Sequence, residues 1–248
     1  MSGVPAAGWN VHNVGIEMTT GGPHCPPGLE YLTTIDQLLV HQKVEILEAI
    51  TTFETANKYS IKNSMGQKIY SASEDTDCCT RNILGPYRCF ELQVLDHQGR
   101  EVIHLSRPLN CDSCWFPCCL QRLDVYSPPG TLIGVVKQEW SILSPKFTIQ
   151  DAAGNAILLI EGPICTWSIC GDVEFQILTL RGDNIGRISK QWSGLLKEGF
   201  TDADNFGVTF PMDLDVKMKA TLLAATFLLD FMFFEKKGRK ERDTPGMF

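Results

Sequence analysis

Three carboxylates crowd one stretch of the chain, at Asp202, Asp204 and Asp213. Read as a twelve-residue loop, Asp202 to Asp213 puts Asp at positions 1, 3 and 12 and Gly207 at position 6. Calcium takes several hard oxygen ligands, and a glycine at that place permits the sharp bend such a loop needs. Phe206 and Val208 could add only backbone carbonyls. Phe206 stands where an Asp or Asn is usual, and Asp213 is one methylene shorter than the usual Glu. A site of this kind is expected to be weak, with a dissociation constant on the order of 10⁻⁴–10⁻³ M. The other reading is an acidic surface turn between a strand and a helix.

Cysteine chemistry concentrates in Cys111-Asp-Ser-Cys-Trp-Phe-Pro-Cys-Cys119. Cys111 and Cys114 have the spacing of half a zinc site, but Cys118 and Cys119 are adjacent and poorly placed to share a tetrahedral ion. S-acylation is a second reading, since Trp115 and Phe116 suit a membrane interface and several acyl chains give lasting attachment. Small buried hydrophobes are the third. Elsewhere, Gly186-Arg-Ile-Ser-Lys-Gln-Trp-Ser-Gly194 offers Arg187 and Lys190 as a short basic segment for nuclear import. An ordinary strand with basic residues explains it equally. Arg181-Gly-Asp183 reads as a hairpin turn rather than an adhesion motif.

Composition limits the choices. The 248 residues carry a net charge of −7, so a broad nucleic-acid-binding face is not expected. The start of the chain has neither a charged n-region nor an apolar h-region, which points the ten cysteines toward a reducing compartment. Glycine-rich phosphate loops and Gly-x-Ser-x-Gly elbows are absent from the sequence, and the five histidines form no local metal pattern, so an enzyme is not expected.

The elements that would position these residues are mostly strands. Residues 1–27 read as a Gly- and Pro-containing lead-in, 28–235 as one domain and 236–248 as a basic tail. Tyr31 to Ile50 mixes helical and strand spacing. From Tyr59 onward, short apolar runs alternate with the turns Asn63-Ser-Met-Gly66, Asp96-His-Gln-Gly99, Ser127-Pro-Pro-Gly130, Asp151-Ala-Ala-Gly-Asn155 and Arg181-Gly-Asp-Asn184. This rhythm predicts an antiparallel sandwich or barrel, and a closed barrel would leave no free edge. One long apolar run, Ala220 to Phe234, is interrupted by Asp230. As a helix over 218–234 it would either plug the barrel or cross a bilayer. A membrane core is about 30 Å thick, and a central Asp costs roughly 2.5–3.5 kcal/mol on insertion. Lys217 and Lys219 before the run and Lys236, Lys237, Arg239, Lys240 and Arg242 after it make a basic flank on both sides that suits an anionic lipid surface and favours neither orientation.

Several runs together resemble the phospholipid scramblase family: Pro26-Pro-Gly-Leu-Glu-Tyr-Leu32, Ile35-Asp-Gln-Leu-Leu-Val-His-Gln42, Glu74-Asp-Thr-Asp-Cys-Cys-Thr-Arg-Asn82, Thr201-Asp-Ala-Asp-Asn-Phe-Gly207 and Phe227-Leu-Leu-Asp-Phe-Met-Phe-Phe-Glu235. The resemblance implies a tubby-like fold, an antiparallel barrel of about twelve strands around a hydrophobic C-terminal helix. It implies calcium-dependent, ATP-independent movement of phospholipids between leaflets at the plasma membrane. Calcium would be bound by Asp202, Asp204, Phe206, Val208 and Asp213, palmitate carried by Cys114, Cys118 and Cys119, and nuclear import served by the segment holding Arg187 and Lys190. A homo-oligomer would be compatible with this. The resemblance does not extend to the long Pro-rich region of most family members, since only Pro5, Pro23, Pro26 and Pro27 fall in the first 30 residues. Partners of Pro-rich motifs are therefore not expected. The alternative function is a lipidated, calcium-responsive membrane or nuclear adaptor that moves no lipid.

Overall fold

The computed structural model describes residues 25–43, 57–75, 89–108, 120–163, 173–191 and 205–234. Twelve antiparallel strands close into one barrel. They are β1 (Gln37–Lys43), β2 (Lys58–Lys62), β3 (Lys68–Glu74), β4 (Phe90–Leu95), β5 (Glu101–Arg107), β6 (Arg122–Ser127), β7 (Thr131–Glu139), β8 (Lys146–Asp151), β9 (Ala156–Glu161), β10 (Val173–Thr179), β11 (Asn184–Gln191) and β12 (Asn205–Thr209). Each strand pairs with its sequence neighbours, and β12 closes on β1 with Leu38 opposite Val208. A 3-10 turn, Glu30–Thr34, precedes β1, and the helix α1 (Val216–Leu229) follows β12 and continues as a π-helical turn, Asp230–Phe234.

An up-and-down barrel sorts its connections between two ends. Five tight hairpins lie at one end, at 63–67, 96–100, 128–130, 152–155 and 180–183. In four of them a side-chain oxygen at the start of the turn accepts two backbone N–H groups. Asn63 Oδ1 takes Met65 and Gln67, Asp96 Oδ1 takes Gln98 and Arg100, Asp151 Oδ1 takes Ala153 and Asn155, and Thr179 Oγ1 takes Arg181 and Asp183. Each of the five hairpins then needs one residue at positive φ, supplied by Gly66, Gly99, Gly130, Gly154 and Gly182. A register shift beside every turn is the bulge that goes with this geometry. The connections β1–β2, β3–β4, β5–β6, β7–β8, β9–β10 and β11–β12 all lie at the opposite end.

Alternation along the strands sends Leu92, Val94, Leu105, Leu123, Val125, Phe147 and Ile149 inward, where they are buried. The lumen they define is filled by α1. Thirteen of its residues are buried, on every face, which an amphipathic surface helix would not show. Asp215 caps its start, its Oδ1 accepting from the N–H of Lys217 (2.9 Å) and Met218 (3.3 Å). Gly134 on β7 lets the helix approach, because a Cβ there would stand 2.1 Å from Thr221 Oγ1. The helix rises from the hairpin end to the long-connection end. Phe227 packs on Tyr59 (ring centroids 4.9 Å apart), Phe231 on Phe90 (4.2 Å) and Phe233 on Phe175 (5.6 Å).

The expectation of a plug is met, and its alternative is corrected. The segment thought able to span a bilayer in a single pass is the core of the barrel. Among the described residues no helix is long and apolar enough to cross a membrane. Asp230, awkward in a bilayer, is buried at the end of α1 and accepts a hydrogen bond from Tyr59 Oη at 2.8 Å.

Candidate functional site

Asp202 and Asp204 lie outside the described residues, but Asn205, which follows them, opens β12 at the long-connection end. Phe206 and Val208 are in the strand itself, buried, with β1 on one side and β11 on the other. In a strand paired on both sides the backbone carbonyls point into the two ladders. From Asn205 to Thr209 the chain advances about 13 Å at ~3.3 Å per residue. Asp213 comes only after that, exposed, in the turn before α1 at the hairpin end. Among the described residues of the expected calcium site, Phe206 and Val208 thus lie in a paired strand, and Asp213 stands beyond its far end.

Lys219, expected as part of a basic flank for an anionic lipid surface, is instead the polar anchor of this region. It is fully buried, and its Nζ donates to the carbonyls of Met212 (2.6 Å), Ile35 (2.7 Å) and Leu32 (2.9 Å). One ammonium thus ties the 3-10 turn, the turn after β12 and the helix together. Burial pulls its pKa below that of an ordinary lysine, while Asp213 and Asp36 act in the opposite direction. The signal that could have found it was its place inside the apolar helix, one turn from the start, where a helix buried on every face must bury its lysine as well.

Beside β12 the outer wall carries a cavity of about 360 Å³, lined in part by His41, Lys62, Ser64 and Asn205. His41 Nδ1 and Asn205 Oδ1 are in hydrogen-bond contact. Burial first, and the Lys62 cation second, hold the His41 imidazolium below its ordinary pKa, against the Asn205 contact that favours it. A second cavity of about 550 Å³ lies on the wall of β4, β5 and β6. There His104 is oriented between Glu101 (Nδ1, 2.7 Å) and Glu91 (Nε2, 2.9 Å). Among the described residues no group of three or more His, Cys, Asp or Glu is placed to hold a metal ion.

The remaining expected residues scatter. Arg187 is exposed on β11 and reaches Glu174 at 3.4 Å, whereas Lys190, three residues on, is buried with its Nζ 5.6 Å from the Phe206 ring centroid. The two do not form one exposed basic surface. Cys114, Cys118 and Cys119 fall outside the described residues, in the β5–β6 connection. Arg181-Gly-Asp183 forms the β10–β11 hairpin turn as expected.

Comparison with known proteins decides the kinship. The family model described as Scramblase matches residues 17–236. The chain belongs to the Scramblase family. It is 57% identical over 219 residues to rat (Rattus norvegicus) phospholipid scramblase 1, covering 88% of this chain and 65% of the relative. Human (Homo sapiens) phospholipid scramblase 1 is 57% identical over 220 residues, covering 88% of this chain and 69% of the relative. Bovine (Bos taurus) phospholipid scramblase 2 is 59% identical over 213 residues, covering 86% and 73%. The chain thus spans about two thirds of the length of these relatives. No solved structure matches it. The span matched to the Scramblase model contains every described strand, the buried helix and Lys219.

Proposed function

We propose that this protein moves phospholipids between the leaflets of a membrane without acting as an enzyme. The observation that supports this most is the 57–59% identity, through the whole barrel, to proteins named phospholipid scramblases. The lumen is packed with α1, so lipid would not pass through the barrel. In this reading headgroups travel along its outside, where the protein meets the bilayer and disturbs its packing. Transfer needs no ATP, because lipid then moves down its own gradient in either direction. Calcium belongs to the proposal as an ion held by the carboxylates of Asp202 and Asp204, which precede β12 in the sequence. Acylation of Cys114, Cys118 and Cys119, in the β5–β6 connection, would hold the barrel at the plasma membrane.

The test is reconstitution of the purified chain in vesicles that carry a fluorescent lipid in both leaflets. The outer pool is bleached chemically, and exchange is followed with and without calcium. Loss of all fluorescence on a timescale of minutes, dependent on protein, is expected. Bleaching that stops at the outer half at every protein density tested would refute lipid movement. Exchange that ignores calcium would remove only the calcium part.

A second reading, an adaptor that docks on membranes and moves no lipid, is favoured by the helix being plugged inside the barrel. The same vesicles separate the two, since an adaptor binds them and leaves the leaflets unmixed.

A further inference from the structure

The loop joining β7 to β8 presents Trp140, Ile142 and Leu143 to solvent at 52%, 79% and 71% exposure. Three large apolar side chains within four residues are an unusual thing to leave in water. The loop is held firmly. Gly162 N–H donates to Pro145 O at 2.8 Å, Ser144 Oγ to Glu161 at 3.3 Å, and Lys146 pairs with Glu161 at 2.9 Å. The apolar tip is therefore presented by a fixed frame.

Its position in the fold is the second observation. The chain has five tryptophans, and Trp9 alone lies before the barrel. Trp115, Trp140, Trp167 and Trp192 each fall in a different connection, β5–β6, β7–β8, β9–β10 and β11–β12. All four of those connections leave and re-enter the barrel at the same end. The hairpins at the other end contain no tryptophan, and the exposed large hydrophobic residues there, Tyr31, Met65, Leu180 and Met212, come from four separate turns. Tryptophan is the residue of the membrane–water interface, with an apolar ring and one N–H for the headgroup layer. The helix also ends at this end, so the chain carrying Lys236, Lys237, Arg239, Lys240 and Arg242 departs from there.

We infer that the barrel docks end-on upon a phospholipid bilayer, with Trp140, Ile142 and Leu143 inserted into its interface. The barrel axis then stands across the membrane surface, and the tight hairpins face the aqueous side. Aromatic and aliphatic burial holds the loop, so docking does not need anionic lipid. The inference rests on the lipid-moving reading for its setting, but it concerns binding alone.

The test uses the full chain, made without acylation, and vesicles of pure phosphatidylcholine. Sedimentation with vesicles gives the affinity of the unaltered chain, of Ile142→Asp/Leu143→Asp and of Leu180→Asp. The double variant is expected to bind at least about tenfold more weakly, while Leu180→Asp, at the opposite end, binds as the unaltered chain does. Unchanged melting temperatures show that the barrel is intact. As a second readout, brominated acyl chains should quench tryptophan fluorescence less in Trp140→Phe. Equal binding by all three chains, or loss confined to Leu180→Asp, would overturn the inference. So would a double variant that loses only self-association, which would make the loop a protein contact. Docking without lipid movement would support the inference and leave only the proposed activity refuted.

Discussion

Lys219 shows how much a single residue can hold in this fold. Its ammonium satisfies three carbonyls that would otherwise lie buried without a donor, and each such loss costs about 1–3 kcal/mol. Lys219→Met keeps the stem but removes the donors. Relief of the buried charge offsets part of the loss. The variant is expected to unfold more easily by roughly 2–4 kcal/mol in urea titration, and an unchanged midpoint would show that the three bonds contribute nothing net. His41 makes a separate claim. The unfolded chain takes up its imidazole proton near pH 6.5, and the folded chain resists that proton. Its folded pKa is depressed, so the stability it contributes is intact above about pH 6.5 and is lost as pH falls below that value. Lys62→Met removes a cation that disfavours the imidazolium. The His41 pKa, followed by NMR, should therefore rise in this variant, and a fall would contradict the assignment.

At the scale of elements, the helix and the wall depend on each other at Gly134. A methyl there would meet Thr221 Oγ1 at 2.1 Å and the Gln150 carbonyl at 3.2 Å. Gly134→Ala should cost about 1–3 kcal/mol by overpacking. Thr221→Ala removes the hydroxyl and so should restore part of that loss, which a double-mutant cycle reads as coupling of at least about 0.5 kcal/mol. Additive losses would place the helix elsewhere than against β7. The elements also show what could be read in advance. Ten strands were legible because each hairpin carries its turn chemistry in the chain, as in Asp96-His-Gln-Gly99 and Asp151-Ala-Ala-Gly-Asn155. Two strands were not. β1, Gln37–Lys43, runs Leu-Leu-Val without alternation, and one of its two partners, β12, lies far along the chain. β12 was read as a calcium loop, because Asp202, Asp204, Gly207 and Asp213 have the spacing of one while Asn205–Thr209 is too short to announce a strand. Only closure of the barrel makes those five residues extended.

Over the whole molecule, the apolar run Ala220–Phe234 left two destinations open, and local pattern could not choose between them. Twelve strands around a lumen that must be filled decide for the plug, and Tyr59 gives Asp230 the partner a bilayer would deny it. The arrangement of the two ends was beyond the sequence reading altogether. The tryptophans are spread over nearly eighty residues of chain, and only the up-and-down topology collects their connections at one end. The central claim is that the protein meets the bilayer with that end while α1 stays inside the barrel. Photo-crosslinking with a diazirine analogue of leucine, incorporated throughout the chain and activated on vesicles under conditions that mix the leaflets, tests both halves together. Leu222, Leu223, Leu228 and Leu229 are expected to crosslink to peptides of the barrel strands, and Leu143 to lipid. Lipid adducts on the four helix leucines, or none on Leu143, would contradict it.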